Sequence, residues 1–169
     1  MLRRAVRDVK DFPKPGIVFK DVTPVLLDPK LLGAAVDLMA KPYRDARIDR
    51  VVSIESRGFL FGAPIALELG AGLVPIRKPG KLPYKTVSQS YDLEYGTDRI
   101  EIHADAVRNG QRVLVVDDVL ATGGTMEAAV KLIGAIGGRI AACSVVIELL
   151  FLNGRKRLEG VPVHSLVKY

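Results

Sequence analysis

The sequence predicts an α/β fold in which a central, mainly parallel sheet is flanked by helices. Segments typical of strands alternate with segments typical of helices, and this alternation is characteristic of parallel sheets with helical crossovers. The predicted strands are short apolar runs rich in β-branched residues, and the predicted helices are bounded by aspartate, proline and glycine. A chain of 169 residues has the length of one domain, so we expect a single domain over residues 1–169.

The individual elements follow from end signals and apolar spacing. Aspartate followed by proline, as at positions 28 and 29, starts a helix because the carboxylate caps free N–H groups and proline fits the first turn. Glycines at positions 70 and 137 are typical of helix ends. The predicted helices cover residues 28–44, 58–69 and 125–136, and the predicted strands cover residues 50–55, 73–77, 112–117 and 139–148.

Residues 79–96 fit neither pattern. This stretch is polar, rich in tyrosine, serine and lysine, and long for a connection between elements. Long connections in compact domains usually serve as lids or binding loops. We therefore expect a flexible lid or hairpin over residues 79–103.

Composition excludes several classes of protein. Apolar residues make up 49% and charged residues 26% of the chain, which is a globular balance and not that of a disordered protein. The apolar runs are too short to cross a bilayer, so we expect no membrane partner. One cysteine, Cys143, excludes a disulfide framework. The start, MLRRAVRDVKDF, has no apolar core of a secretory signal, and we expect a cytoplasmic location.

The positive charge of the chain is unevenly distributed. The formal net charge is +6, yet residues 1–20 alone hold six basic and two acidic residues, and residues 77–85 hold four basic residues and no acid. Residues 155–169 add a further excess of basic residues. Such segregation suggests an anionic partner, and from charge alone a nucleic acid, a small polyphosphate and a merely solvated surface all remain open.

The most informative segment follows the predicted strand 112–117. Apolar residues lead directly into Asp117 and Asp118, and the small-residue loop ATGGT then opens a helix. Ligands of parallel sheets bind at the carboxyl ends of strands. Backbone N–H groups of a glycine-rich loop at a helix start bind phosphate, and two carboxylates accept hydrogen bonds from ribose hydroxyls. The pattern lacks the lysine of a Walker loop and the spacing of a dinucleotide fingerprint, and ribose 5-phosphate satisfies it.

The run VLVVDDVLATGGT resembles the phosphoribosyl pyrophosphate (PRPP) motif of the type I phosphoribosyltransferases. That resemblance implies that Asp117 and Asp118 hold the ribose 2′- and 3′-hydroxyls. The residues that it assigns to the 5-phosphate are Ala121, Thr122, Gly123, Gly124 and Thr125.

Further segments resemble the branch of this family that acts on adenine. They are PKPGIVFKDVTPVLLDP (residues 13–29), ESRGFLFG (55–62), IRKPGKLP (76–83) and YDLEYG (91–96), in the same order and spacing. The resemblance covers the chain from Val9 to Tyr169. It implies conversion of adenine and PRPP to AMP and pyrophosphate in purine salvage, a homodimer, and transfer to N9 through an oxocarbenium-like state. No nucleic acid is needed as a partner.

The resemblance also assigns the adenine and pyrophosphate sites. Residues 1–28 form a small N-terminal hood segment, in which the main chain of Val18 and Lys20 reads adenine and Phe19 stacks on it. Pyrophosphate binding falls to Arg57, Arg77, Lys78 and Lys81. The turn at Ser56-Arg57 is one where a cis peptide often occurs in the family. Mg²⁺ is expected as a cofactor bound mainly through PRPP, with no direct protein ligand.

Glu94 is the predicted catalytic residue. It lies in the segment YDLEYG, where a carboxyl near N7 of adenine can supply or stabilise a proton as N9 attacks. Tyr95 is expected to help close the lid and exclude water.

Two alternatives remain open at this stage. One is a PRPP-sensing regulator that binds nucleic acid, and the other is an enzyme for a different base, such as hypoxanthine or xanthine. His103, His164 and Cys143 are interpreted as structural, and Glu55 is left without a role.

Overall fold

The computed structural model describes residues 1–93 and 96–169, and it confirms the predicted fold class. The strands are β1 (Arg7–Lys10), β2 (Val18–Asp21), β3 (Arg50–Ile54), β4 (Gly72–Ile76), β5 (Thr86–Leu93), β6 (Gly96–His103), β7 (Arg112–Leu120), β8 (Arg139–Glu148) and β9 (Val163–Lys168). The α-helices are α1 (Leu2–Ala5), α2 (Thr23–Leu27), α3 (Pro29–Ala40), α4 (Gly58–Leu69) and α5 (Gly124–Ala135).

The central sheet has five parallel strands in the order β4-β3-β7-β8-β9. Apolar side chains cover both of its faces, as expected for a parallel sheet between helices. On one face Val116 and Val146 pack with Phe61 of α4, and on the other Val115 packs with Leu132 of α5. The carboxyl ends of the central strands are thereby held in one rigid edge.

Two predicted elements differ from the structure by more than one residue at an end. The strand predicted over residues 112–117 is too short, because β7 continues to Leu120 and remains paired with β8 to that point. The two adjacent acids therefore lie within the strand. The helix predicted to run to about Arg44 ends at Ala40 and continues as a 3₁₀ turn over Lys41–Tyr43, where proline at position 42 removes a helical hydrogen bond.

The stretch that matched neither pattern contains an antiparallel hairpin. Strands β5 and β6 pair from Thr86 with His103 onward, and an isolated bridge between Arg77 and Glu101 joins the hairpin to the end of β4. A second hairpin pairs β1 with β2 near the N-terminus, with a cis peptide bond at Phe12-Pro13 between its strands. Both hairpins stand beside the carboxyl edge of the sheet.

Among the described residues, no helix is long and apolar enough to span a membrane.

Candidate active site

Two cavities adjoin at the carboxyl ends of the central strands. The polar cavity, of about 310 Å³, lies between the ends of β3 and β7 and the start of α5. The apolar cavity, of about 740 Å³, lies between β2, the end of β7 and the C-terminal segment. Val119, Ala121 and Thr122 line both cavities, so a ligand can extend from one into the other.

All five residues predicted to hold a 5-phosphate line the polar cavity. We call residues 121–125 the phosphate loop. It leads into α5 through Gly123, whose φ of +85° is a conformation that residues with a side chain rarely adopt. The loop thus presents backbone N–H groups and the positive end of a twelve-residue helix to the cavity.

Asp117 and Asp118 form the floor of the same cavity. Asp118 is 5% exposed and accepts a hydrogen bond from Arg57 Nε at 2.5 Å, while Asp117 Oδ1 accepts one from the backbone N–H of Asp118 at 2.9 Å. Burial, and next the charge of Asp118, raise the pKa of Asp117 well above its ordinary value. The cavity floor therefore offers one carboxyl group paired with Arg57 and one that retains its proton to unusually high pH.

Arg57 connects the two cavities. It immediately precedes α4, pairs with Asp118, and places its guanidinium 5.5 Å from the ring centroid of Phe19. A cis peptide bond joins Glu55 to Ser56, one bond before the Ser56-Arg57 bond that the family resemblance brings into question. Because Ser56 also lines the polar cavity, this turn presents both a hydroxyl and a cation to it.

The four predicted pyrophosphate residues do not all reach the polar cavity. Arg57 and Lys78 line it, whereas Arg77 and Lys81 bond to Glu55 at 3.3 and 2.8 Å. Burial alone would raise the pKa of Glu55, but the hydrogen bonds from Lys81, the Lys78 backbone and Arg77 prevail and lower it to about 2. Glu55, which lines the cavity, thus separates two cations from it.

Lys78 is itself bound by the hairpin of β5 and β6. Its ammonium group pairs with Asp98 and donates to the hydroxyl of Tyr91 at 3.2 Å. Burial disfavours the charged amine, but these hydrogen bonds outweigh it and raise the pKa of Lys78. Lys78 is therefore a fixed cation that links the cavity to β5 and β6.

Val18, Phe19 and Lys20 line the apolar cavity, as the resemblance implies for a base site. The ring of Phe19 packs edge-on against Phe12 with centroids 5.2 Å apart. Lys20 turns its side chain toward Asp8, at 2.6 Å, and over the ring of Tyr169, at 4.2 Å. Asp8 and Tyr169 also line the apolar cavity, so these contacts hold the Lys20 side chain at its wall.

Two predicted residues, Glu94 and Tyr95, lie outside the described residues. The strands on either side of them contribute Tyr91 and Ile100 to the wall of the polar cavity. The hairpin that carries the predicted catalytic carboxyl is thus next to the cavity.

Several cavity residues were not identified from the sequence. Tyr91 lies in the predicted lid, where an aromatic residue beside charged ones was an available signal. Phe151 and Tyr169 line the apolar cavity from the C-terminal segment, and no motif marks them.

Cys143, predicted to be a buried thiol, is fully buried in β8, and burial raises its pKa to about 12.

The described part of the chain holds no group of three or more histidine, cysteine, aspartate or glutamate side chains arranged to bind a metal ion. The acids at the polar cavity are Glu55, Asp117 and Asp118, and cations already bond to the first and the last. This donor set suits a cation held chiefly by a ligand's own oxygens.

Comparison with known proteins agrees with this geometry. Residues 24–162 match the family described as phosphoribosyl transferase domain. The chain is 55% identical over 170 residues to an adenine phosphoribosyltransferase of Escherichia coli O157:H7, covering 99% of this chain and 93% of the relative.

Solved structures of adenine phosphoribosyltransferases share the fold. The structure from Thermoanaerobacter pseudethanolicus superposes with a TM-score of 0.96 at 51% identity, covering 99% of this chain and 98% of the other. That from Saccharomyces cerevisiae, complexed with an imino-altritol bisphosphate and adenine, gives a TM-score of 0.93 at 40% identity over 98% and 96% of the two chains. The chain therefore belongs to the phosphoribosyltransferase family and, within it, to the adenine phosphoribosyltransferases.

Proposed function

We propose that this protein transfers the 5-phosphoribosyl group of PRPP to N9 of adenine, which yields AMP and pyrophosphate. The observation that carries the proposal is the junction of the two cavities. A phosphate loop and an acid pair line one cavity, an apolar wall lines the other, and three residues are common to both. A phosphorylated ribose with a purine at C1 has this distribution of polar and apolar surface.

PRPP binds with its 5-phosphate on the phosphate loop and its ribose hydroxyls on Asp117 and Asp118. The pyrophosphate then faces Ser56, Arg57 and Lys78, which lie on the same wall of the polar cavity. Fixed cations lower the barrier because they stabilise the charge that develops on the leaving group as the bond to C1 breaks. Arg77 and Lys81 contribute through Glu55, which they hold ionised and in place.

Magnesium fits this site as a cofactor that PRPP carries. When bound with PRPP, Mg²⁺ supplies charge neutralisation at the pyrophosphate. Asp117 and Asp118, beside the proposed ribose position, would be the protein oxygens nearest to such an ion, and Asp118 pairs with Arg57.

Adenine binds in the apolar cavity against Phe19, with the main chain of Val18 and Lys20 reading its edge. The 6-amino group donates and N1 accepts, so one carbonyl and one N–H suffice for recognition. A 6-oxopurine presents the inverse pattern at these atoms and leaves buried groups unpaired. Adenine is therefore the favoured base.

The reaction also requires N9 of adenine to lie within reach of C1 of the ribose, and it requires a proton transfer at the purine. As N9 attacks and pyrophosphate leaves, the purine gains positive character and the ribose passes through an oxocarbenium-like state. The N9–C1 bond forms as the bond from C1 to the pyrophosphate oxygen breaks, and the purine then has to lose the proton at N7. We assign Glu94 to stabilise and accept that proton, and Tyr95 to cover the reacting atoms. The support is the position of their hairpin, whose Tyr91 and Ile100 already line the polar cavity.

The decisive experiment offers adenine, hypoxanthine, guanine and xanthine in parallel, with PRPP and Mg²⁺, and measures nucleotide formation. We expect AMP as the main product and rates at least about 100-fold lower for the 6-oxopurines, the scale of discrimination that unpaired buried polar groups produce. Preference for a 6-oxopurine would contradict the base assignment. Binding to nucleic acid with no nucleotide formed would favour the regulator.

Replacing the proposed catalytic carboxyl tests the mechanism. In Glu94→Ala we expect kcat to fall about 10²–10⁴-fold, the range of general acid–base catalysis, with KM for PRPP and adenine nearly unchanged. Glu94→Gln, which keeps the size and loses the charge, should behave in the same way. A kcat close to that of the unaltered enzyme would remove Glu94 from the mechanism.

We further propose a homodimer and a cytoplasmic location. The dimer is supported by an apolar stripe on α4 formed by Leu60, Pro64 and Leu67, in which the leucines are 49% and 85% exposed. A cytoplasmic location follows from the substrates, because phosphate esters as highly charged as PRPP and AMP do not cross membranes unaided. Cell fractionation with an activity assay tests it.

A further inference from the structure

A short segment near the C-terminus, residues 153–158, lies against the back of the phosphate loop, and we call it the brace. Gly154 is buried, and a Cβ atom on it would lie 2.2 Å from the carbonyl oxygen of Ala121 and 2.9 Å from the amide nitrogen of Gly123. A Cβ atom on Gly123 would lie 2.4 Å from the carbonyl oxygen of Gly154. The two backbones are therefore in direct contact, and any shift of the brace moves the loop.

Two ion pairs hold the brace at its ends. Arg155 donates from Nε and Nη2 to the two oxygens of Glu148, at 2.8 and 2.6 Å, and Glu148 is only 3% exposed. Arg157 Nη1 lies 3.2 Å from Oε2 of Glu127, on the first turn of α5. A two-point arginine–carboxylate contact fixes orientation as well as distance.

Further bonds tie the partner of Arg155 into the sheet. Glu148 ends β8 and also accepts a hydrogen bond from Ser165 Oγ of β9, at 2.6 Å. Arg155 Nη1 donates to the carbonyl oxygen of Val163 at 3.0 Å. The hydrogen bond from Arg155 lowers the pKa of Glu148 below its ordinary value, so the pair stays ionised at neutral pH. The brace is thus joined to two strands on one side and to α5 on the other.

We propose that the brace positions the phosphate loop for the 5-phosphate of PRPP, with Arg155 and Glu148 as the positioning residues. The inference rests on the proposed function, which assigns the loop to that phosphate. Within the described part of the chain, the brace contributes no side chain to the wall of the polar cavity. It acts through the loop backbone, whose N–H groups bind phosphate only while they converge on one point.

The test removes the ion pair without leaving an unpaired buried charge. In the double variant Glu148→Gln with Arg155→Met, neither charge remains, which avoids the large cost of breaking one partner alone. We expect KM for PRPP to rise about tenfold, with kcat and KM for adenine within about twofold. Calorimetric binding of ribose 5-phosphate should weaken by a similar factor. Arg155→Lys should give a smaller rise, since lysine keeps the charge but not the two-point contact.

Lys156→Met is the matched control, because it removes a positive charge from the same segment and Lys156 forms no ion pair within the described residues. We expect unchanged kinetics. The inference is overturned if the double variant of an active enzyme keeps its PRPP KM, if both KM values rise equally, or if only Tm falls. An unaltered protein that forms no AMP would contradict the proposed function instead, and ribose 5-phosphate binding would still test the brace.

Discussion

The fold raises the pKa of Asp117 well above the ordinary value of an aspartate. Its raised pKa means that the folded chain binds a proton that the unfolded chain has lost, so stability falls as pH rises from the ordinary value toward the raised one. Asp117→Asn removes this dependence and should raise Tm at pH 7 by about 2–4 °C, the shift for about 1 kcal/mol in a domain of this size. Thermal unfolding at pH 5 and pH 7 measures the effect.

The same substitution should weaken PRPP binding at pH values above the raised pKa of Asp117, where it removes a charged acceptor for a ribose hydroxyl. Asp118→Asn is the control. It deprives Arg57 of its ion-pair partner and should lower Tm where Asp117→Asn raises it. A lower Tm for Asp117→Asn at pH 7 would contradict the titration argument.

Glu55 has the opposite behaviour. Its pKa of about 2 lies below the ordinary value of 4.5, so the stability it contributes is present above pH 4.5 and is lost as pH falls toward 2. Glu55→Gln should remove about 1–2 kcal/mol at pH 7, a modest loss because solvent screens exposed partners such as Lys81. It should remove almost nothing below pH 2, where Glu55 is protonated in the folded chain as well. Urea unfolding across this pH range tests the change, and an equal loss at every pH would refute it.

At the scale of elements, the sequence predicts best where local signals and packing agree. Helix 58–69 and strand 139–148 have the predicted bounds, because glycine ends the first and a continuous apolar run forms the second. Strand β7 extends beyond its predicted end at residue 117, because its pairing with β8 continues through the two aspartates to Leu120. Strand β9 was not predicted, since its sequence VHSLVK mixes apolar and polar residues without a regular alternation and forms a strand beside β8.

Helix α3 offers a prediction of its own. Asp28 accepts hydrogen bonds from the backbone N–H groups of Lys30 and Leu31 at 2.8 and 3.2 Å, so it is a true helix cap. Asp28→Ala should cost about 1 kcal/mol and lower Tm by about 2–4 °C without changing KM or kcat. Lys30→Ala, an exposed change in the same turn, should leave Tm nearly unchanged, and equal losses would refute the capping argument.

At the scale of the whole molecule, charge that is segregated in the sequence is partly paired in space. The basic residues of positions 77–85 include three that pair with Glu55 or Asp98, and Arg7 pairs with Asp21. The phosphate loop and its acids were predictable because they are contiguous. The role of Glu55 and the brace were not, since only the fold brings their distant segments together.

The apolar stripe on α4 makes the last prediction, which concerns assembly. Leu60, Pro64 and Leu67 recur at spacings of four and three, so they share one helix face, and the outermost leucine is 85% exposed. Burying about 100 Å² of leucine surface yields about 2.5 kcal/mol, enough for a few such residues to stabilise a dimer. Leu67→Glu places a charge in the proposed dimer contact, and we expect it to shift the protein from the proposed dimer to a monomer in sedimentation velocity. Leu38→Glu, on the exposed side of α3, should leave the dimer intact.

The same contact should also affect PRPP binding, because Arg57 immediately precedes α4 and pairs with Asp118. We expect the Leu67→Glu monomer to bind PRPP less tightly than the unaltered protein. A fully active monomer would show that the site does not depend on assembly.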